Sequence, residues 1–174
     1  MGQYYVVANL TKKEFIEPSK FMDGVKLMEF SMSGNGVLSG LSVLLASSNG
    51  MGGGDLDVDE DWDDIPGRWA GDRIVVAGDY DENPKSAGYK VYSLCGDRTE
   101  MEQLLQAGEQ LDNWLDISSR VLGALLSDDW FRQQFCHLPE GAGSDYFDQR
   151  QRELWAAARP GETFPRDLSS NSHN

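Results

Sequence analysis

Five aspartates at every second position, Asp55, Asp57, Asp59, Asp61 and Asp63, are the residues of this 174-residue chain whose spacing most directly suggests chemistry. Alternate side chains of an extended segment point to one side, so these carboxylates would form a row with Leu56 and Val58 opposite. A row of hard oxygen ligands suits Ca²⁺ or Mg²⁺, and the first, third and fifth positions of a calcium loop are matched from Asp55 onward. The sixth position, however, is Glu60 where the loop turns on glycine, and the twelfth is Pro66 where a bidentate glutamate closes the shell. An EF-hand is excluded, and a weak Mg²⁺ or Ca²⁺ contact is the only cofactor the row would support. Its other use is electrostatic. Residues 55–64 hold seven carboxylates and no base, half of the net charge of −14. With Asp64 and with Trp62 set among the acids, this stretch reads as a face for a basic protein, since tryptophan is among the residues that dominate interface energies.

A second constellation is the duplicated Ala-Gly-Asp at Ala70–Asp72 and Ala77–Asp79, bracketing the apolar run Ile74–Ala77. Asp55, Asp72, Arg73 and Asp79 would make a ligand or metal site, and hence a metal-assisted hydrolase or a nucleotide or small-ligand binder, if the loops Gly52–Asp55, Ala70–Asp72 and Gly78–Asp81 converged. Seven residues of extended chain span about 23 Å, so Asp72 and Asp79 are expected at opposite ends of one strand, each in a turn. The glycines of Asn49–Gly54 follow a helical pattern and precede carboxylates. A phosphate cradle needs strand, loop, then helix, so a hinge is the expected role. Cys95, Cys136, His137 and His173 lack zinc spacing, and no G-x-S-x-G elbow is present. No catalytic residue is assigned.

The charge opposes direct binding to nucleic acid or anionic membrane, both polyanions. No apolar run approaches the length of a membrane span and no charged-then-apolar leader opens the chain, so a cytoplasmic protein is expected. Two cysteines are too few for a disulfide framework.

The positioning elements follow from periodicity. Gln3–Val7 and Glu14–Ile16, joined by the turn-like Asn9–Lys12, predict a β-hairpin ended by Pro18. Lys26–Phe30 alternates weakly and reads as a short strand. Val37, Leu38, Leu41, Leu44 and Leu45 repeat at helical spacing after Asn35-Gly36, with Gly36 and Gly40 on a small face suited to close packing on a sheet. Ile74–Ala77 is apolar throughout, as for a strand buried on both faces, and Asp81–Pro84 reads as a turn leading to Tyr89–Leu94, a second strand that would pair with it. Thr99–Glu102 is a capping box opening a helix with Met101, Leu104, Leu105, Leu111 and Leu115 on one stripe. A helix near Ser118 with Ile117, Val121, Leu122 and Leu125 inward, a short helix after Asp128, and a last helix from a Ser144 cap to about Ala158 complete the pattern. Pro139–Gly143 is a linker. Trp69 is expected in the core beside Ile74–Ala77, and Trp62 exposed.

Strands precede helices, so the fold class is α+β: a small antiparallel or mixed sheet from the N-terminal half covered by helices from the C-terminal half. One domain over residues 1–160, with its acidic loop at 52–66, would be followed by a polar, disordered tail at 161–174.

The segments MGQYY, NLTKKEF, GVKLMEF, GGGDLDVD and GRWAGDRIVVAGDY resemble an uncharacterised family of proteins encoded by bacteria and their phages. The resemblance spans roughly residues 1–95. It implies a shared fold and an intracellular accessory role on a phage or mobile element, such as inhibition of a host or defence protein, and it carries no assigned activity. The expectation is a non-enzymatic binding protein whose acidic face masks a basic protein surface, such as that of a nucleic-acid-binding protein.

Overall fold

The computed structural model describes residues 2–34, 36–50, 53–81, 88–95, 114–137 and 145–169. Four strands form one mixed sheet: β1 (Tyr5–Asn9), β2 (Glu14–Ile16), β3 (Ile74–Gly78) and β4 (Leu115–Asp116), in the order β3-β1-β2-β4. The hairpin predicted from the N-terminal residues is present, with Val7 opposite Ile16 and Asn9 opposite Glu14. Asn9 closes it, its Oδ1 accepting from the amides of Thr11 and Lys12, both at 2.9 Å. β4 joins β2 in parallel, an edge strand from the second half of the chain whose Leu115 amide donates to the Lys13 carbonyl.

β3 departs from expectation in two ways. Its partner is β1, antiparallel from Tyr5–Gly78 to Asn9–Ile74, because Tyr89–Leu94 is not a strand. Val91–Cys95 instead forms a short helix, α3, laid on the sheet with Val91 and Cys95 buried. β3 is therefore an edge strand, and Val76 is 41% exposed rather than buried on both faces. Lys26–Phe30 is likewise helical: α1 (Leu27–Ser31) begins after Lys26, whose amide donates to the Glu29 carboxylate at 3.1 Å, a cap that outweighs a weak strand alternation.

α2 (Val37–Leu45) forms as predicted, but Gly36 has no side chain to cap it. Asp23 takes that part, accepting from the Val37 amide at 2.6 Å. Burial pushes the Asp23 carboxyl up, against the lowering effect of Ser33 and that amide. Gly40 packs against a helix rather than the sheet: a Cβ there would lie 2.9 Å from Val121 and 3.1 Å from the Phe21 ring. α4 (Ser118–Leu125), α5 (Asp129–Phe135) and α6 (Asp145–Ala158) follow the predicted helices, with Ile117, Val121, Leu122 and Leu125 in the core. Asp128 caps α5 by accepting from the Phe131 amide at 3.0 Å. On α6, Leu154 and Trp155 are buried, whereas Tyr146 lies outside at 69% exposure.

The two faces of the sheet carry separate cores. Val7 and Ile16 face a large cluster containing Trp69, α2, α4 and α6, and Val6, Ala8, Phe15 and Ala77 face a smaller one with Val91, Cys95 and Trp114. Within the stretch expected to be a tail, Phe164 is 5% exposed and Pro165–Ser169 forms α7, and residues 170–174 lie outside those described. The Phe164 ring lies between the Arg152 and Arg166 guanidinium groups, each 4.8 Å from its centroid, and edge-on to Trp155. The turn at Asp81–Pro84, the capping box at Thr99, the leucine stripe of residues 101–111, the linker Pro139–Gly143 and the Ser144 cap include residues outside those described. No helix among the described residues is long and apolar enough to cross a membrane.

Candidate functional site

The acidic stretch does not run as one extended row. Asn49 holds its start, donating to the Leu56 carbonyl at 2.7 Å and accepting from the Leu56 amide at 3.1 Å. Glu60–Trp62 then turns into a 3-10 helix, which breaks the alternation and sends the acids in different directions. Asp59 accepts from Arg159 at 2.6 Å and from the Ser127 hydroxyl at 3.1 Å, and the arginine holds its carboxyl below the usual range. Asp64 accepts from Arg120 at 2.7 Å and from Arg68 at 3.0 Å. Asp59 and Asp64 therefore tether the loop to the fold. Asp55, Asp57, Asp61 and Asp63 are exposed.

Trp62 is half-buried, which corrects its expected place as an exposed anchor. It packs on the main core over Gly123, where a Cβ would come within 2.7 Å of the indole. Trp69 is fully buried, as predicted from its position beside β3. Its indole Nε1 donates to Glu14 at 2.8 Å. The same carboxylate receives both Nε and Nη2 of Arg68, the latter at 2.6 Å. Burial alone raises the Glu14 carboxyl, but these donors outweigh it and hold it low. This Glu14–Arg68–Asp64–Arg120 chain joins β2 to the acidic stretch and α4. No local pattern around Glu14 distinguishes it from a surface strand residue.

The second constellation is dispersed. Asp72 accepts from Lys12 at 2.7 Å and from Asn9 at 2.8 Å, which keeps its carboxyl low. Asp79 accepts from the Tyr4 amide at the other end of β3. Each aspartate closes a turn, and Gly71 supplies the left-handed backbone, φ +80°, of the first. The Arg73 amide donates to the Thr11 hydroxyl beside Asp72. Asp55 lies elsewhere, between α2 and α5. Among the described residues no group of three or more His, Cys, Asp or Glu could hold a metal ion. Burial raises the Cys95 thiol to about 12 and the Cys136 thiol to about 11, so neither is a thiolate nucleophile at neutral pH.

What the fold does assemble is a groove that the spacing of residues gave no sign of. A depression of about 340 Å³, at the lower end of ligand-pocket sizes, lies between α2 and α5. Val43, Leu56, Leu125 and Phe131 supply its apolar surface. A neighbouring depression shares Asp55, Asp128 and Trp130 with it and adds Asp57 and Asp129. Trp130 stands at the shared rim, 72% exposed. The acids at 55 and 57 thus line one depression with those at 128 and 129, some seventy residues away in sequence, a proximity set by the fold. An aspartate pair followed by tryptophan was visible as a helix start, but its partner surface was not. Comparison with protein-family models, with curated proteins and with solved structures finds no match to this chain.

Proposed function

We propose that this protein is a non-enzymatic binding protein whose acidic face masks the basic surface of a protein partner, such as a nucleic-acid-binding protein. The observation that carries this reading is the joint lining of one depression by Asp55, Asp57, Asp128 and Asp129. Carboxylates drawn together from two parts of the chain make a focused negative field, which speeds encounter with a cationic surface and repels polyanions. In the cytoplasmic, phage- or mobile-element-associated setting implied by the resemblance, the partner would be a host or defence protein with such a surface. The alternative, a metal-assisted hydrolase or nucleotide binder on Asp55, Asp72, Arg73 and Asp79, loses its support with the separation of those residues.

The test uses oligolysine as a simple cationic probe, titrated calorimetrically at about 50 mM and about 300 mM salt. Wild-type protein is expected to bind at low salt and weaken steeply at high salt. The triple variant Asp55→Asn, Asp57→Asn, Asp129→Asn is expected to bind about tenfold more weakly, with a shallower salt dependence. Asp128 is left in place because it caps α5. Equal affinity of the triple variant and the wild type at low salt would refute the reading.

A further inference from the structure

We propose that the groove between α2 and α5 seats a basic amphipathic segment of the partner protein, with an apolar side chain on the groove floor and lysine or arginine side chains on the acidic rim. This rests on the acidic-face reading and adds to it the class of partner segment and the place where it docks.

Three features select that occupant. First, Val43, Leu56, Leu125 and Phe131 give the groove an apolar surface, and α2 adds to its lining the small side chains of Ser39 and Ser42 beside Val43. Small side chains at that wall leave the floor reachable. Second, among the described residues no lysine or arginine lines either depression, whereas the adjoining one has Asp55, Asp57, Asp128 and Asp129 around it. Arg132 reaches Asp129 at 3.3 Å from the same helix, but the Asp129 side chain is 89% exposed, so its remaining oxygen surface faces outward. Charge complementarity therefore asks for a cation, and the floor asks for an apolar group within a few ångströms of it. A bare polycation satisfies only the rim, and nucleic acid is repelled by it.

Third, Trp130 is not needed by the core. On α5 the inward positions belong to Phe135, which is 5% exposed, and Phe131, which stacks on it at 6.1 Å between ring centroids. Trp130 stands clear at the junction of the two depressions. There its ring can cover the aliphatic stem of a lysine or arginine and attract the cationic head, with Asp57 and Asp129 close by. An exposed tryptophan where two depressions adjoin is the residue type expected of a binding hot spot. Partner side chains at helical spacing would place one residue on the floor and its basic neighbours on the rim.

The probes are three labelled peptides of roughly twelve residues: a leucine–lysine amphipathic helix, the same peptide with leucine replaced by serine, and the same with lysine replaced by glutamine. Fluorescence anisotropy at low salt is expected to give the leucine–lysine peptide the highest affinity. Ser42→Trp, which fills the groove mouth, is expected to weaken it about tenfold while leaving oligolysine binding within about twofold, and Trp130→Ala to weaken binding of the leucine–lysine peptide about tenfold and of oligolysine less. Asp57→Asn with Asp129→Asn is expected to weaken both probes, and Asp61→Asn with Asp63→Asn neither by more than about twofold. Thermal melts of all variants establish that they fold. Equal binding of the leucine–lysine peptide by wild type, Trp130→Ala and Ser42→Trp overturns the groove while oligolysine binding keeps the acidic-face reading standing. Preference for the serine peptide overturns it in the same way. No binding of any peptide or of oligolysine overturns both.

Discussion

Glu14→Gln preserves the size of the side chain and removes its charge, at a position where Arg68 and the Trp69 indole both donate to the carboxylate. Glutamine keeps one acceptor oxygen and turns an amide N–H₂ toward a guanidinium that offers only donors. The Glu14 side chain is 6% exposed and that of Arg68 23%. Stranding one member of a buried pair costs about 3–5 kcal/mol. Arg68 keeps its contact with Asp64 and some access to water, which places the expected loss at about 2–3 kcal/mol. For a chain of this size that corresponds to a fall in Tm of roughly 4–12 °C. The pH dependence has a definite sign. The folded carboxyl is held below its ordinary value, so its contribution is complete above the unfolded pKa of about 4.3. It is lost as pH falls through the folded pKa. Glu14→Gln should therefore flatten part of the acid limb of the stability profile, which wild type retains. Urea unfolding at several pH values, followed by tryptophan fluorescence, measures both quantities. A loss below about 1 kcal/mol at neutral pH, with an unchanged acid limb, would refute the reasoning.

Other substitutions probe the remaining supports of the acidic face. Gly123→Ala places a methyl against the Trp62 ring and is expected to destabilise by about 1–3 kcal/mol, read from urea midpoints. Arg159→Met removes the tie from α6 to Asp59, and hydrogen exchange should quicken at the Trp62 amide with little change at Val7 in the sheet centre. Phe164→Ala empties the space between Arg152, Arg166 and Trp155. A loss of about 3–5 kcal/mol is expected, with earlier proteolysis near the C-terminus. Cys95 and Cys136 should resist a thiol reagent in the native state and react promptly in urea; fast native labelling would contradict their burial.

Local patterns carried much of the fold. The Asn9 turn between two β-branched and aromatic runs was enough for the β1–β2 hairpin, because an Asx turn and a period of two are local properties. The helical repeats of Val37–Leu45 and Ile117–Leu125 were equally readable, and so was the short helix after Asp128. Short segments misled where a few tertiary contacts outweigh weak propensity. Lys26–Phe30 and Val91–Cys95 turn helical where Phe30 in the one, and Val91 with Cys95 in the other, become buried, a choice that five residues of pattern cannot express. The tail was judged by its polar composition, yet the single residue Phe164 and its two flanking arginines suffice to dock it.

For function, the sequence by itself determined the sign of the chain's charge and its concentration in residues 55–64, since both are sums over local residues. It also placed Asp72 and Asp79 at opposite ends of a strand, because backbone geometry sets that separation. Only the tertiary structure decided which carboxylates are tethered to distant elements, Asp59 by Arg159 and Asp64 by Arg120, because those partners lie far along the chain. It alone folded Trp62 over a glycine of α4 and left Trp130 outside. The groove beneath Trp130 exists because α2, the acidic stretch and α5 meet there, and the packing of distant segments is a property that no stretch of sequence contains.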